Sequence, residues 1–246
     1  MRAEPAVQLR LLELQALDTA LTRLEHRRHA LPELTVIAAA DTRLAALRDA
    51  VVLAETEVTD LDREQRRLDA DVEQVRQRSR RDQQRMQAGG IPAKELESLQ
   101  HEVESLARRQ SDLEDAELEV MERREEAESR ASALRSEVET VSAERETAMH
   151  ARDAAWAAID AEAAEDTGAR AALAGELPDE LLALYEKVRA AAGGVGAAEL
   201  RQRRCEGCRL ELAGSELRAA RAAPPDQVLR CENCGRVLIR TEGSGL

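Results

Sequence analysis

Phenylalanine is missing from this 246-residue chain, and tryptophan and tyrosine occur once each. Large aromatic side chains carry much of the buried area of layered globular cores, so a core of that kind is hard to fill here. No run of 18 apolar residues is present, and the opening MRAEPAVQLR lacks the continuous apolar stretch of a secretory leader. The first 204 residues contain no cysteine. Basic residues are in deficit, 36 against 49 acidic ones, for a net charge of −13. That balance disfavours non-specific binding of nucleic acid by the molecule as a whole. Together these absences predict a cytoplasmic protein with no membrane segment, whose core is a narrow seam.

What is present fits a seam. Charged residues make up 35% of the chain, and Ala, Glu, Arg and Leu dominate it, the composition of long helices. Stepping by three and four from Ile37 to Val75 reaches twelve positions, of which eleven are apolar and Gln65 is the exception. The same steps from Leu96 to Ile159 find fourteen of nineteen apolar, interrupted by Gln110, Glu117, Arg124, Arg145 and Arg152. This is a sustained coiled-coil pattern. Between the arms stands QAGGIPAKEL, where Gly89 and Gly90 suit left-handed positions and Pro92 the first turn of a new helix. So short a connection forces antiparallel neighbours, with residue i opposite roughly residue 182 minus i, placing Gln65 against Glu117.

The second arm outruns the first, and its surplus from about Ala151 needs a partner. Leu14, Leu17, Leu21, Leu24 and Leu31 supply one, with a kink or break expected near Pro32. The fold class expected is mainly α: a long antiparallel coiled-coil hairpin over 1–175 with its tip at about 87–93, a connecting helix over 176–194, and a small module of short strands over 195–246. The connecting helix opens at Pro178, carries Leu181, Leu184, Tyr185 and Val188 on one side, and ends at Gly193 and Gly194. Trp156 and Tyr185 read as packing residues.

All four cysteines fall in the last module, as Cys205-x-x-Cys208 and Cys231-x-x-Cys234, the second followed by Gly235. In a reducing compartment such pairs serve as metal ligands more often than as disulfides; a redox dithiol is the competing reading. A C-x-x-C turn lets two thiolates reach one ion while backbone amides point at the sulfurs, and two such knuckles complete a tetrahedron. Four thiolate ligands leave no site for water or substrate, so the expected cofactor is one structural Zn2+. The flanking ELRQRRC, VLRC and RVLIR suit short strands, giving a zinc ribbon that takes much of its folding free energy from the metal.

No enzyme signature accompanies the ribbon. His26, His29, His101 and His150 are scattered along helices, GGVG at 193–196 lacks the Lys-Ser/Thr of a phosphate loop, and a two-helix seam gives its acids no concave pocket. We expect a protein that is not an enzyme and takes no small-molecule substrate. Candidate partner-binding residues are Arg76, Arg78, Arg80, Arg81 and Arg85 near the tip, within RQRSRRDQQR, and Arg201, Arg203, Arg204 and Arg209 around the first knuckle. The module over 195–246 holds nine Arg against seven acids, +2 net, leaving −15 on the remainder. A protein partner is expected first. Nucleic acid is the other candidate, through phosphate contacts at the ribbon or tip arginines, without base stacking because the module has no aromatic residue. A hairpin that satisfies its own seam is expected to be a monomer.

GGIPAKELESLQHEVESL at the tip, PDELLALYEKVRAAAGG ahead of the module, and CEGC with CENCGRVLIR in the tail resemble the bacterial proteins that join a coiled-coil helical hairpin to a C-terminal four-cysteine zinc ribbon. That resemblance spans nearly the whole chain. It implies binding of nucleic acid or protein partners, with a link in some flagellated bacteria to gene regulation through an alternative sigma factor. The function expected is an adaptor or scaffold connected to transcription or RNA regulation. The alternatives are a factor that inserts its hairpin into the secondary channel of RNA polymerase, and a purely structural coiled coil.

Overall fold

A computed structural model describes residues 1–246. The elements are α1 (Pro5–His29), α2 (Pro32–Ala88), α3 (Ala93–Gly175), α4 (Asp179–Ala191), β1 (Ala197–Arg201), β2 (Arg204–Cys205), α5 (Gly214–Ala222), β3 (Leu229–Arg230), β4 (Val237–Arg240) and a 3-10 turn (Glu242–Ser244). They group into two compact units: Thr35–Met149, and Met1–Leu34 together with His150–Leu246. No helix is long and apolar enough to cross a membrane.

The unit Thr35–Met149 is the hairpin. Gly89 and Gly90 take φ of +72° and +81°, the left-handed conformation glycine adopts without steric penalty, and so release the chain from α2. Every residue of α2 that is buried, from Ala40 to Val75, is one the three-four stepping selects. Leu44 and Leu47 pack with Val141, and Leu61 and Leu68 with Val120 and Ala127. Ion pairs flank the seam, among them Arg43 with Glu137, Arg135 with Glu55 at 2.5 Å, and Arg145 with Asp41 at 2.5 Å.

The register differs from the expected one. Gln65 accepts a hydrogen bond from Arg124 Nη1 at 2.7 Å, while Glu117 meets Asp69, whose hydrogen bond holds the Glu117 carboxyl above its usual range, with burial adding to the shift. Counting residues from the middle of the turn assumes a symmetric tip. The layers Leu61, Leu68, Val120 and Ala127 instead interlock a few residues further along α3, and packing of apolar knobs decides the register.

In the other unit α1 runs antiparallel to the end of α3, fixed by Arg28–Asp160, Arg27–Glu162 at 2.8 Å and Arg10–Glu176. Its buried stripe is Gln8, Leu11, Leu14, Gln15, Asp18 and Leu24, while Leu17 and Leu21 are only half-buried. The chain breaks at Ala30 and Leu31, and Trp156 Nε1 donates to the carbonyl of Arg28 at 3.1 Å, satisfying an orphaned group at the end of α1. The guanidiniums of Arg28 and Arg152 lie 5.1 and 4.7 Å from the centre of that ring.

The strands form one sheet in the order β2-β1-β4-β3, with β1 parallel to β4 and the outer strands antiparallel. Alternation sorts the two faces. Ala197, Val237 and Ile239 join Leu11, Leu14, Leu173, Leu177, Leu181 and Tyr185 in one buried cluster. Ala198, Leu200 and Leu238 join Cys205, Cys231 and Leu212 in another. Residues of α1, α3 and α4 thus roof one face of the sheet. The N-terminus adds to this packing, since Ala3 N–H donates to Asp226 O at 2.8 Å and Gln8 Nε2 to Pro225 O at 3.2 Å.

Candidate metal centre

Each cysteine pair sits in a turn of identical hydrogen bonding. The carbonyl of Cys205 accepts from Arg209 N–H at 2.7 Å while its N–H donates to Leu210 O at 3.0 Å; the carbonyl of Cys231 accepts from Gly235 N–H at 2.8 Å while its N–H donates to Arg236 O at 3.0 Å. The residue four beyond the first cysteine is left-handed in both knuckles, Gly235 at φ +73° and Arg209 at φ +61°. Glu216 of α5 accepts from Glu232 N–H at 3.0 Å and so buttresses the second knuckle.

The four sulfurs lie within 4.8 Å of one another, with Cys205 to Cys234 and Cys208 to Cys231 both at 3.9 Å. A tetrahedron with metal–sulfur bonds of about 2.3 Å has edges of about 3.8 Å, so these thiols could hold a single zinc ion. Burial pushes the Cys205 thiol up to about 12 against the pull of the Cys208 and Gly207 amides, and burial also raises Cys231. At Cys234 burial acts the same way, but hydrogen bonds from the N–H and guanidinium of Arg236 and from the Cys231 and Cys208 thiols together outweigh it and bring the thiol down to about 7. A dication held by all four as thiolates offsets their burial and mutual repulsion, and with no open position it acts as a folding cross-link.

The arginines of the second knuckle are engaged internally. Arg236 donates to the carbonyls of Ala192 at 2.7 Å and Val195 at 3.1 Å, tying the end of α4 to the sheet. Its stem fills the place a side chain at Gly207 would need, where a Cβ would stand 2.5 Å from Arg236 Cδ. Arg240 donates to five carbonyls, those of Ala220, Ala223, Pro224, Pro225 and Gln227. Around the first knuckle Arg201, Arg203, Arg204 and Arg209 are exposed, and none forms an ion pair. Near the hairpin tip Arg76 pairs with Glu114 at 2.7 Å, Arg78 with Glu102 at 2.5 Å and Arg85 with Glu95 at 2.9 Å, which leaves Arg80 and Arg81 unpaired.

A buried polar cluster had no signal in the sequence beyond an aspartate and a glutamine inside a leucine-rich helix. Asp18 is 0% exposed. It accepts from Arg170 Nε at 2.7 Å and Tyr185 OH at 2.6 Å, and pairs with Arg189 at 3.0 Å; Glu186 closes the set on both arginines. Gln15 Oε1 accepts from Gly196 N–H at 2.7 Å. Burial and the Asp18 carboxylate raise the Tyr185 hydroxyl well above its ordinary value. Two carboxylates face two guanidiniums, so charge balances inside a region where an unmatched charge would be costly.

Over residues 14–193 the chain matches the CT398-like coiled coil hairpin domain, and over 204–238 a C4-type zinc ribbon domain. The uncharacterized protein Rv2229c of Mycobacterium tuberculosis is 40% identical over 250 residues, 99% of each chain. A solved structure from Mycobacterium smegmatis is 37% identical with a TM-score of 0.87, covering 98% of this chain and 100% of its own. CT398 from Chlamydia trachomatis shares the fold at 17% identity, with a TM-score of 0.71 over 96% and 98% of the two chains. The chain thus belongs to the CT398-like coiled coil hairpin family and carries a C4-type zinc ribbon with one structural Zn2+.

Proposed function

We propose that this protein is a non-enzymatic adaptor of the cytoplasm, working as a monomer in transcription or RNA regulation, with its hairpin (1–175) and ribbon (195–246) joined by the segment 176–194. Cys205, Cys208, Cys231 and Cys234 hold the zinc, which shapes the ribbon and takes no part in chemistry. Protein partners, and nucleic acid at phosphate groups, are met by Arg201, Arg203, Arg204 and Arg209, and at the hairpin tip by Arg80 and Arg81, with Arg76, Arg78 and Arg85 behind them. One observation carries the reading: these ribbon arginines stand exposed without acidic partners, while the cross-helix arginines of the hairpin are matched to carboxylates. A set of unmatched guanidiniums on a metal-fixed frame is suited to anionic groups of another macromolecule.

In-cell crosslinking with identification of bound protein and nucleic acid tests this. Wild type is compared with Arg80→Gln/Arg81→Gln and with a variant carrying glutamine at the four ribbon positions. Each variant is expected to lose a different subset of partners. Identical partner lists for all three proteins would overturn the adaptor reading.

A further inference from the structure

We infer that the first knuckle is a docking surface for a short acidic peptide of a protein partner, gripped by Arg201, Arg203, Arg204 and Arg209, with Leu210 as an apolar contact. The inference rests on the adaptor reading and assigns the chemistry of one partner.

Backbone strain is concentrated at this place. The non-glycine residues with positive φ are Gln202 at 46°, Arg203 at 66° and Arg209 at 61°, all between 202 and 209. Left-handed backbone is disfavoured for residues with a Cβ, and two-residue hairpin turns of this kind ordinarily use Asn-Gly. The twin knuckle shows the unstrained solution, with Gly235 where the first has Arg209. The strained turn is also clamped: Gln202 N–H donates to Gly243 O at 2.8 Å and Arg203 N–H to Ser244 O at 2.9 Å.

Charge is strained as well. Arg201 of β1 lies directly opposite Arg204 of β2, an antiparallel pairing that sets two like charges on one face of the sheet and destabilises it. Glu211, bridged to Arg204 on the next segment, forms no ion pair with it. Both costs are retained in the free chain; carboxylates of a partner filling the face lessen the charge repulsion, while the backbone strain, held by the surrounding structure, keeps the arginines splayed as strain at functional sites does.

Peptide is favoured over nucleic acid on three counts. The module has no aromatic residue on which a base could stack. The −15 on residues 1–194 repels a long polyanion more than a short acidic segment. Leu210 is 53% exposed on the segment beside β2, an apolar contact that a phosphate backbone does not use.

The test is fluorescence anisotropy on the full-length, zinc-loaded protein. Its probes are a labelled peptide of alternating Asp and Glu around one Leu, and a single-stranded oligonucleotide of equal charge. The peptide is expected to bind the more tightly. Loss of charge-assisted hydrogen bonds in R201Q/R204Q, and separately in R209G, should weaken it by about tenfold or more. R218Q/R221Q on α5 should leave it unchanged. Both weakened variants should keep their zinc and melt at the same or a higher temperature, because strain and repulsion are relieved. Tighter oligonucleotide binding, indifference of peptide binding to the substitutions, or a melting temperature that falls along with affinity would each overturn the assignment. If the peptide fails to bind while R201Q/R204Q still loses partners in cells, the adaptor reading stands and only the peptide chemistry falls.

Discussion

Within Thr35–Met149 seven arginines lie against carboxylates of the facing helix, as Arg76 with Glu114 at 2.7 Å and Arg135 with Glu55 at 2.5 Å, whereas in the ribbon no arginine of the strands or knuckles forms an ion pair. There Arg230, Arg236 and Arg240 reach backbone carbonyls, and of the four exposed around the first knuckle only Arg203 does so, its Nε donating to Gly245 O at 3.3 Å. One side chain therefore does three jobs. Which one it does is set by whether an acid stands at the matching register, whether a loop turns its carbonyls inward, or neither. Coiled-coil geometry supplies acids at regular intervals on the facing helix. A ribbon of strands two to five residues long supplies carbonyls, because short strands and their turns leave many of them outside the ladder.

Zinc removal divides the two units most sharply. A Cys231→Ser variant should lose stoichiometric metal by elemental analysis, and with it a binding term of about 10 to 16 kcal/mol typical of structural zinc. Hydrogen exchange should then rise steeply at 205–212 and 229–236, where the sulfurs sit in a small cluster with Ala198, Leu200, Leu212 and Leu238. The face holding Val237 and Ile239 keeps its roof of Leu11, Leu14 and Tyr185 and should lose less protection. Unchanged exchange in the knuckles, or melting of the hairpin helices alongside them, would break the comparison.

Asp18→Ala comes next. It strips the carboxylate from two guanidiniums and the Tyr185 hydroxyl at once, and an uncompensated buried charge costs about 3 to 5 kcal/mol. Denaturant melts of wild type and variant check this; a loss below about 1 kcal/mol would mean the cluster is wet. The single Tyr gives a second readout, since phenolate absorbance then reports Tyr185 alone. Its folded pKa is raised, so its stabilising contribution is complete below the unfolded value of about 10 and is lost only as pH climbs through the folded one. Phenolate should therefore appear together with unfolding and not before it.

Gly196→Ala is smaller. A Cβ there would stand 2.7 Å from the Tyr185 ring and 2.8 Å from its carbonyl, so the close approach of β1 to α4 must give, at about 1 to 3 kcal/mol in thermal melts. A neutral result would show that α4 floats over the sheet.

The sequence showed faces and ligands but not junctions. Three-four stepping picked the buried residues of α2, and cysteine spacing with Gly235 picked the metal centre, because helical period and tetrahedral chelation are local rules. Asp18 was invisible because its arginine partners are 152 and 171 residues away, and a polar residue in a leucine-rich helix reads as surface until a distant arginine meets it. Gln65 met Arg124 because interlocking layers along the seam, not the length of the turn, set the pairing. Arg209 looked like a charge and proved to be a left-handed residue in glycine's place.

The weakest effect is also the one that tests the comparison's logic. Arg135 and Glu55 sit 58% and 45% exposed at 2.5 Å, with water on most sides, so Coulomb attraction is offset by the entropy of holding two long side chains together. A double-mutant cycle with Arg135→Ala and Glu55→Ala should give a coupling of about 0.2 to 1 kcal/mol, shrinking toward zero as salt rises to about 1 M. The same cycle on Arg170 and Asp18 should give a several-fold larger coupling that salt barely moves, because Asp18 is fully enclosed. If the two cycles gave equal couplings with equal salt dependence, burial would not be what separates the ion pairs of the hairpin from the polar cluster beside the ribbon. The regular ion pairs would then hold the hairpin together as much as its apolar seam does, and the seam's gaps at Gln110, Glu117 and Arg124 would need no apolar layers to offset them.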